Sequence, residues 1–108
     1  MDNNKPTQPV TMEWLMEDAI DSDAGLSMAR MTVDVNVVSE LHSHSNCSEA
    51  IHVLKGTIEQ RCGDDWEKMT QGQTCLIPKG AKHQTRNIGQ ERAELMLAYS
   101  SGSRVYET

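Results

Sequence analysis

Short apolar runs separated by turn residues follow one another along most of the chain. In residues 26–33 the apolar residues Ala29, Met31 and Val33 alternate with other side chains, which is the period of a half-buried strand. No segment keeps a 3.6-residue apolar period for more than two turns, so no long helix is expected. The runs interpreted as strands are residues 26–33, 37–44, 49–55, 57–62, 66–69, 74–77, 82–86 and 93–99.

Turn residues separate these runs, at residues 34–36, 63–65 and 78–80 among others. Many short strands divided by turns in 108 residues predict a single all-β domain, a sandwich or barrel of antiparallel strands. Residues 1–11 contain two prolines and no apolar period, so we expect a flexible tail there. Residues 12–108 are then the folded domain.

Composition and charge exclude several classes of protein. The net charge is −6 and no Lys/Arg cluster occurs, which argues against binding to nucleic acid or to an anionic membrane. No apolar run approaches the roughly 20 residues that cross a bilayer, and the first ten residues lack a signal peptide's apolar core. We therefore expect a cytoplasmic protein with reduced thiols at Cys47, Cys62 and Cys75. Because small domains bury only about 60–70% of their unfolded surface, a homodimer is also expected.

Three of the four histidines fall into two compact groups. Side chains two residues apart in a strand share a face, so His42 and His44 can approach one ion from the same side. Glu49 begins the next predicted strand, and His83 stands at the start of a later one. Three imidazoles and one carboxylate suit a divalent transition metal such as Fe, Mn, Ni, Cu or Zn, whereas Ca²⁺ and Mg²⁺ prefer oxygen ligands.

The same residues lie in a spacing that resembles the two motifs of the cupin superfamily. The first motif is matched by His42, His44, Glu49 and Gly56, and the second by Gly72, Pro78, Gly80, His83 and Asn87. Asn36 stands where the first motif begins with glycine, and asparagine tolerates a positive φ better than other non-glycine residues. The resemblance implies a jelly-roll β-barrel with one metal ion held by His42, His44, Glu49 and His83.

Two further residues are candidates for substrate contact. Gln60 shares a strand face with Ile58 and Cys62, so it is expected to point into the barrel. There it is either a residue that orients substrate or supports the metal ligands, or a core amide satisfied by water. Tyr99 shares a face of the last strand with core leucines and is placed at the rim of the pocket.

Other polar residues are assigned to the surface or to loops. Strand alternation sends His52 to the face opposite Glu49. Arg30 is expected at the surface in an ion pair rather than in the cavity. Cys47 lies in a loop near the proposed ligands, but thiol dioxygenases of the superfamily replace the carboxylate ligand, which is present here as Glu49.

The function expected from these features is metal chemistry on a small anion. Four protein ligands leave two positions of a six-coordinate ion for small ligands, and the ion favours an anionic partner. Cupins include dioxygenases, isomerases, decarboxylases and lyases, so the resemblance implies an enzyme acting on a small oxygenated acid or enol, dioxygenase-like first. The alternative is a non-catalytic sensor or sugar-binding protein. A purely structural metal is disfavoured because such sites are usually closed and tetrahedral.

The ligand set predicts that metal binding depends on pH. Only neutral imidazole binds a metal, and an ordinary histidine becomes protonated as the pH falls below about 6. The protein is therefore expected to hold its metal at pH 7 and to release it progressively below pH 6. Elemental analysis after dialysis across a pH series measures this release. Full metal occupancy at pH 4 would contradict a site built from three histidines.

Overall fold

The computed structural model of the protein describes residues 8–108. These residues form eight strands and contain no α-helix. The strands are β1 (Val10–Met16), β2 (Ser27–Val33), β3 (Glu49–Lys55), β4 (Thr57–Cys62), β5 (Asp65–Thr70), β6 (Thr74–Ile77), β7 (His83–Asn87) and β8 (Ala93–Tyr99). Strands β3, β4, β6 and β8 begin and end at the predicted residues, and β2, β5 and β7 differ by one residue at one or both ends.

Two antiparallel sheets contain all eight strands. The larger sheet has the order β1-β2-β8-β3-β6, and the smaller has the order β5-β4-β7. Every strand pair in both sheets is antiparallel, so the predicted all-β fold is confirmed. Within residues 8–108 no helix is long and apolar enough to span a membrane.

The core lies between the sheets and is built from alternate positions of the strands. Strand β8 buries every second residue from Ala93 to Tyr99, and β2 and β3 show the same alternation. Fully burying an aliphatic side chain of this kind contributes about 1.5–3 kcal/mol. The buried apolar residues in contact are Met31, Val33, Cys47, Ile51, Val53, Ile58, Met69, Ile77, Ala93, Leu95, Leu97 and Tyr99.

The segment at residues 37–44 differs from the prediction because it is not a regular strand. It pairs with β7 only at two isolated bridges, Val38–Arg86 and His42–His83. Four residue steps separate the bridges on this segment and three on β7, so one residue bulges out of the ladder. The Ser39 hydroxyl also accepts a hydrogen bond from the Thr85 N–H at 2.9 Å, in place of a backbone carbonyl. The prediction of a regular strand here is wrong for these two reasons.

The N-terminal boundary also differs from the prediction. Strand β1 begins at Val10, inside the expected tail, because Val10 and Thr11 pair with Val33 and Thr32 of β2. Residues 1–7 of that tail lie outside the described part of the chain.

Two asparagines act in turns as their positions predict. Asn36 has φ of 64°, the positive value expected at the place of the first motif's glycine. The Asn87 amide donates hydrogen bonds to the carbonyls of Val33 and Glu91 at 2.9 and 2.8 Å, and its oxygen accepts one from the Gly89 N–H at 2.8 Å. Asn87 therefore ties the end of β7 to the turn that leads into β8.

Gly56 is expected to be the less replaceable of two turn glycines. Its φ is +95°, and an added Cβ would lie 3.1 Å from the Cα of Ala93, whereas Gly63 has φ of +66° and open space around it. We expect Gly56→Ala to lower the free energy of unfolding by about 2–3 kcal/mol and the control Gly63→Ala by about 1 kcal/mol. Urea denaturation measures both values. Equal losses would contradict the close approach of β8 to this turn.

Candidate metal centre

Four potential ligands from three parts of the chain meet at one end of the space between the sheets. His42 and His44 come from the bulged segment, while Glu49 and His83 are the first residues of β3 and β7. One potential ligand atom from each side chain lies within 4.8 Å of the others. His44, Glu49 and His83 are buried, and His42 is partly exposed.

Backbone pairing explains why the histidines converge. The N–H of His42 donates to the carbonyl of His83 at 3.0 Å, and the N–H of His83 donates back at 2.8 Å. Residues paired in this way project their side chains to the same face, and His44 follows two residues after His42 on that face. The three imidazole rings consequently have centroids between 4.3 and 5.1 Å apart.

The hydrogen bonds of the rings determine which nitrogen carries the proton. The Nδ1 atoms of His42, His44 and His83 lie 2.7, 2.7 and 2.9 Å from the backbone carbonyls of Glu40, Val105 and Ala81, respectively. A carbonyl oxygen only accepts hydrogen bonds, so each Nδ1 carries a hydrogen. In the neutral imidazole the lone pair is then on Nε2. All three rings are held in the tautomer that a metal bound through Nε2 requires.

These lone pairs are crowded against a carboxylate oxygen. Glu49 Oε1 lies 3.0 Å from His83 Nε2 and 3.2 Å from His44 Nε2, and the latter nitrogen is buried without a hydrogen bond. Adjacent donor atoms on an octahedral ion with bonds of about 2.1 Å lie about 3.0 Å apart. The spacing and the unsatisfied nitrogen both fit a cation between the side chains.

The pKa values of the cluster show the same need for positive charge. Burial raises the pKa of Glu49, but the His44 and His83 rings beside the carboxylate outweigh burial and the pKa falls to about 2. Burial lowers the pKa of His42 to about 4. At His83 burial also lowers the pKa, yet the hydrogen bond with Glu49 raises it above the usual value overall. The buried carboxylate of Glu49 is thus charged and lies between the imidazole rings, where a cation would offset its charge.

A cavity of about 250 Å³ opens onto this cluster. His42, Glu49 and His83 line one part of it, and Met12, Met31 and Leu97 line an apolar part. The remaining lining residues are Val10, Ser39, Glu40, Thr85, Tyr99, Arg104 and Tyr106.

The two predicted substrate-contact residues have different positions. Tyr99 is buried and lines the cavity, and its ring centroid lies 5.3 Å from that of His44. Gln60 is buried in β4, as its strand alternation predicts, but it does not line the cavity, and its amide oxygen accepts a hydrogen bond from the hydroxyl of Thr85, its partner on β7. Thr85 reaches the cavity instead because it is two residues after His83 on the same face of β7.

Of the residues assigned to the surface or to loops, His52 and Arg30 neither belong to the cluster nor line the cavity, and Cys47 is buried in the apolar core. His52 Nδ1 lies 2.7 Å from the Thr74 hydroxyl on the other face of the larger sheet. Arg30 is exposed on β2, opposite Glu13 on β1, and forms no ion pair within residues 8–108. The predicted salt bridge of Arg30 is therefore wrong. Burial raises the pKa of the Cys47 thiol, which favours the unreactive protonated form.

The sequence analysis missed the C-terminal segment, residues 100–108, which contributes Arg104 and Tyr106 to the cavity. Backbone hydrogen bonds of 2.8 and 3.0 Å between Ser43 and Glu107 bring this segment alongside His44. The Tyr106 ring stacks on His42 with centroids 4.4 Å apart and an interplanar angle of 17°. No periodic pattern in residues 100–108 indicated a place in the fold. Their position beside the cavity follows from the backbone pairing of Ser43 with Glu107.

The family model for the Cupin domain (Cupin_2) matches residues 29–99, about two thirds of the chain. The chain belongs to the cupin family. This match covers the segments that carry both motifs, so the resemblance noted in the sequence is confirmed.

Two relatives of this cupin are much longer than the chain itself. Germin-like protein 3-8 from Oryza sativa subsp. japonica is 30% identical over an alignment of 82 residues, which covers 71% of this chain and 36% of the relative. Xanthan biosynthesis protein XanB from Xanthomonas campestris pv. campestris (strain B100) is 32% identical over 94 residues, 87% of this chain and 20% of the relative. The cupin thus spans about a third to a fifth of the length of these proteins.

Solved structures agree with the fold of this cupin. An oxalate oxidase in complex with glycolate superposes with a TM-score of 0.84 at 19% identity, covering 97% of this chain and 57% of that chain. A cupin 2 domain-containing protein from Halorhodospira halophila gives a TM-score of 0.82 at 16% identity, with coverages of 99% and 74%. At these identities the likeness establishes the fold alone, and it confirms the predicted jelly roll.

Proposed function

We propose that His42, His44, Glu49 and His83 together bind one divalent transition-metal ion. The observation that carries this proposal is the meeting of three Nε2 lone pairs and a charged carboxylate in a buried space. A cation offsets the repulsion between these groups and the cost of burying the carboxylate. Fe, Mn, Ni, Cu and Zn all suit this mixture of nitrogen and oxygen donors.

The bound ion supplies a Lewis acid for a substrate oxygen and, if it is Fe, Mn, Ni or Cu, a means of exchanging electrons. The other contributions come from the protein. The Met12, Met31 and Leu97 side chains exclude water from one side of the cavity. Burial and the charge of Glu49 raise the pKa of Tyr99, so its phenol stays neutral and can donate a hydrogen bond to a substrate anion.

We infer that the partner is a small oxygenated organic acid or enol. A divalent ion with three neutral imidazoles and one carboxylate has a net positive charge, which attracts an anion into an otherwise apolar cavity. The fold neighbours support this class, since they include an oxalate oxidase with its substrate analogue glycolate and a predicted oxalate decarboxylase from Thermotoga maritima.

Within this proposal the cupin is an enzyme. The reaction type that we favour is oxygen-dependent (dioxygenase-like) turnover, followed by isomerase, lyase or decarboxylase chemistry. Tyr99 orients the substrate from the cavity wall. Gln60 is a positioning residue, because it holds the hydroxyl of Thr85, which lines the cavity.

The alternative is a cupin that binds a small molecule or sugar without turnover. Its support is the similarity to XanB and to a putative mannose-1-phosphate guanylyltransferase from Vibrio cholerae, which matches over 20% of its length. In this alternative the metal anchors a ligand through its oxygens, and nothing is consumed.

The homodimer and the cytoplasmic location stay predictions. The outer face of the larger sheet carries an apolar row in which Met28, Ala98, Ala50 and Leu76 are neighbours on four adjacent strands. Leu76 is 65% exposed, so this row is apolar surface that a second copy of the chain could bury.

Replacing the carboxylate tests the metal proposal. Glu49→Gln keeps the size of the side chain but removes its charge, so we expect metal affinity to fall by more than about 100-fold. This exceeds the loss of about 10–100-fold that is typical when a residue hydrogen-bonded to a metal ligand is replaced. Titration of the metal-free protein with Mn²⁺ or Zn²⁺ in a calorimeter measures this change. The control is His52→Gln, a histidine outside the cluster, which should bind metal like the original protein. Equal affinities in all three proteins would contradict the proposed ligand set.

Turnover distinguishes the enzyme from the binding protein. We expect the protein loaded with each metal in turn to consume a short hydroxy, oxo or dicarboxylic acid, with oxygen uptake if it is a dioxygenase. His83→Ala, which removes one ligand, should reduce consumption to the background rate. An oxygen electrode measures the uptake of oxygen, and NMR measures the consumption of the acid. Tight binding of an acid or sugar that is never consumed would contradict the enzyme and favour the alternative.

A further inference from the structure

Arg104 places a cation at the edge of the cavity. Its guanidinium carbon lies 5.1 Å from the ring centroid of Trp14, 5.2 Å from that of Tyr99 and 5.0 Å from that of Tyr106. These rings belong to β1, β8 and the C-terminal segment, so the guanidinium is surrounded on several sides. Aromatic rings attract the charge and support the flat group, but they leave its N–H donors available.

The N–H donors of this guanidinium have no acceptor among residues 8–108. Within that range no carboxylate oxygen lies within 4.0 Å of it and no oxygen accepts a hydrogen bond from it, whereas Arg61, Arg86 and Arg92 each pair with a carboxylate. Glu40 also lines the cavity, but it accepts a hydrogen bond from the Tyr106 hydroxyl at 2.6 Å. A guanidinium with five donors facing a cavity therefore lacks a partner.

The segment that carries Arg104 is fixed on both sides of it. The Asn46 side chain donates to the Ser103 carbonyl at 2.9 Å and accepts from the Val105 N–H at 2.8 Å. The Val105 carbonyl accepts from Nδ1 of His44 at 2.7 Å. The arginine is thus held in place before any ligand arrives, and its position is tied to that of a proposed metal ligand.

We propose that Arg104 binds a carboxylate of the substrate and thereby selects acids that carry a second oxygen-bearing group for the metal. This inference rests on the proposed function of the metal centre and narrows its substrate class. The guanidinium fork matches a carboxylate with two parallel hydrogen bonds, which a neutral amide cannot reproduce. The selected ligands are short dicarboxylic or oxo acids that bridge the metal and the arginine, because the metal-ligand cluster and Arg104 line the same cavity.

The binding of each dicarboxylate, compared with that of its monoamide, tests whether Arg104 binds a carboxylate. The probes are the straight-chain dicarboxylates from oxalate to glutarate and the monoamide of each, titrated into Mn²⁺-loaded protein in a calorimeter. We expect at least one diacid to bind about 10–100-fold more tightly than its monoamide, as a charge-assisted hydrogen-bonded pair implies. Arg104→Gln should abolish that preference while metal content and monoamide affinity stay unchanged.

Two further variants distinguish carboxylate binding by Arg104 from a purely structural role of this residue. Arg104→Lys keeps the charge but not the fork, so its preference for the diacid should be intermediate. Arg30→Gln, an exposed arginine outside the cavity, should behave like the original protein. If Arg104→Gln still prefers the diacid, or if no dicarboxylate binds the metal-loaded protein, the inference is overturned. Failure of the metal proposal itself would show separately, as absence of Mn²⁺ binding before any acid is added.

Discussion

Three imidazole nitrogens and one carboxylate oxygen meet where three of the four side chains are buried, and their lone pairs face one another. Each ring is fixed in this orientation by a hydrogen bond from Nδ1 to a backbone carbonyl. The ring therefore cannot turn to relieve the repulsion between the lone pairs. Without a cation the cluster would leave a buried nitrogen unsatisfied and a buried charge unpaired. The rest of the structure is arranged around this constraint.

Two irregular parts of the fold contribute to the cluster or to the cavity beside it. The bulge in residues 37–44 brings His42 opposite His83, which a regular ladder would displace by one residue. The C-terminal segment supplies the carbonyl that fixes His44 and the arginine at the cavity edge. The regular strands contribute the rigid core that holds these segments in register.

The sequence predicted the parts of the fold that depend on local pattern. The alternation of residues 93–99 predicted the bounds of strand β8, and the position of Asn36 in the motif predicted its positive φ. Arg104 could not be found, because its place depends on a pairing between Ser43 and Glu107 that no local pattern records. Alternation likewise showed that Gln60 faces inward. It did not show that Thr85, its partner on β7, lines the cavity while Gln60 does not, because that depends on how the sheets pack.

X-ray absorption spectroscopy of the metal-loaded protein reports the atoms bound to the ion and so tests whether the four side chains bind it. We predict a coordination shell of nitrogen and oxygen donors with the multiple-scattering signature of three imidazoles. A shell containing thiolate sulfur, or one with no imidazole signature, would contradict it.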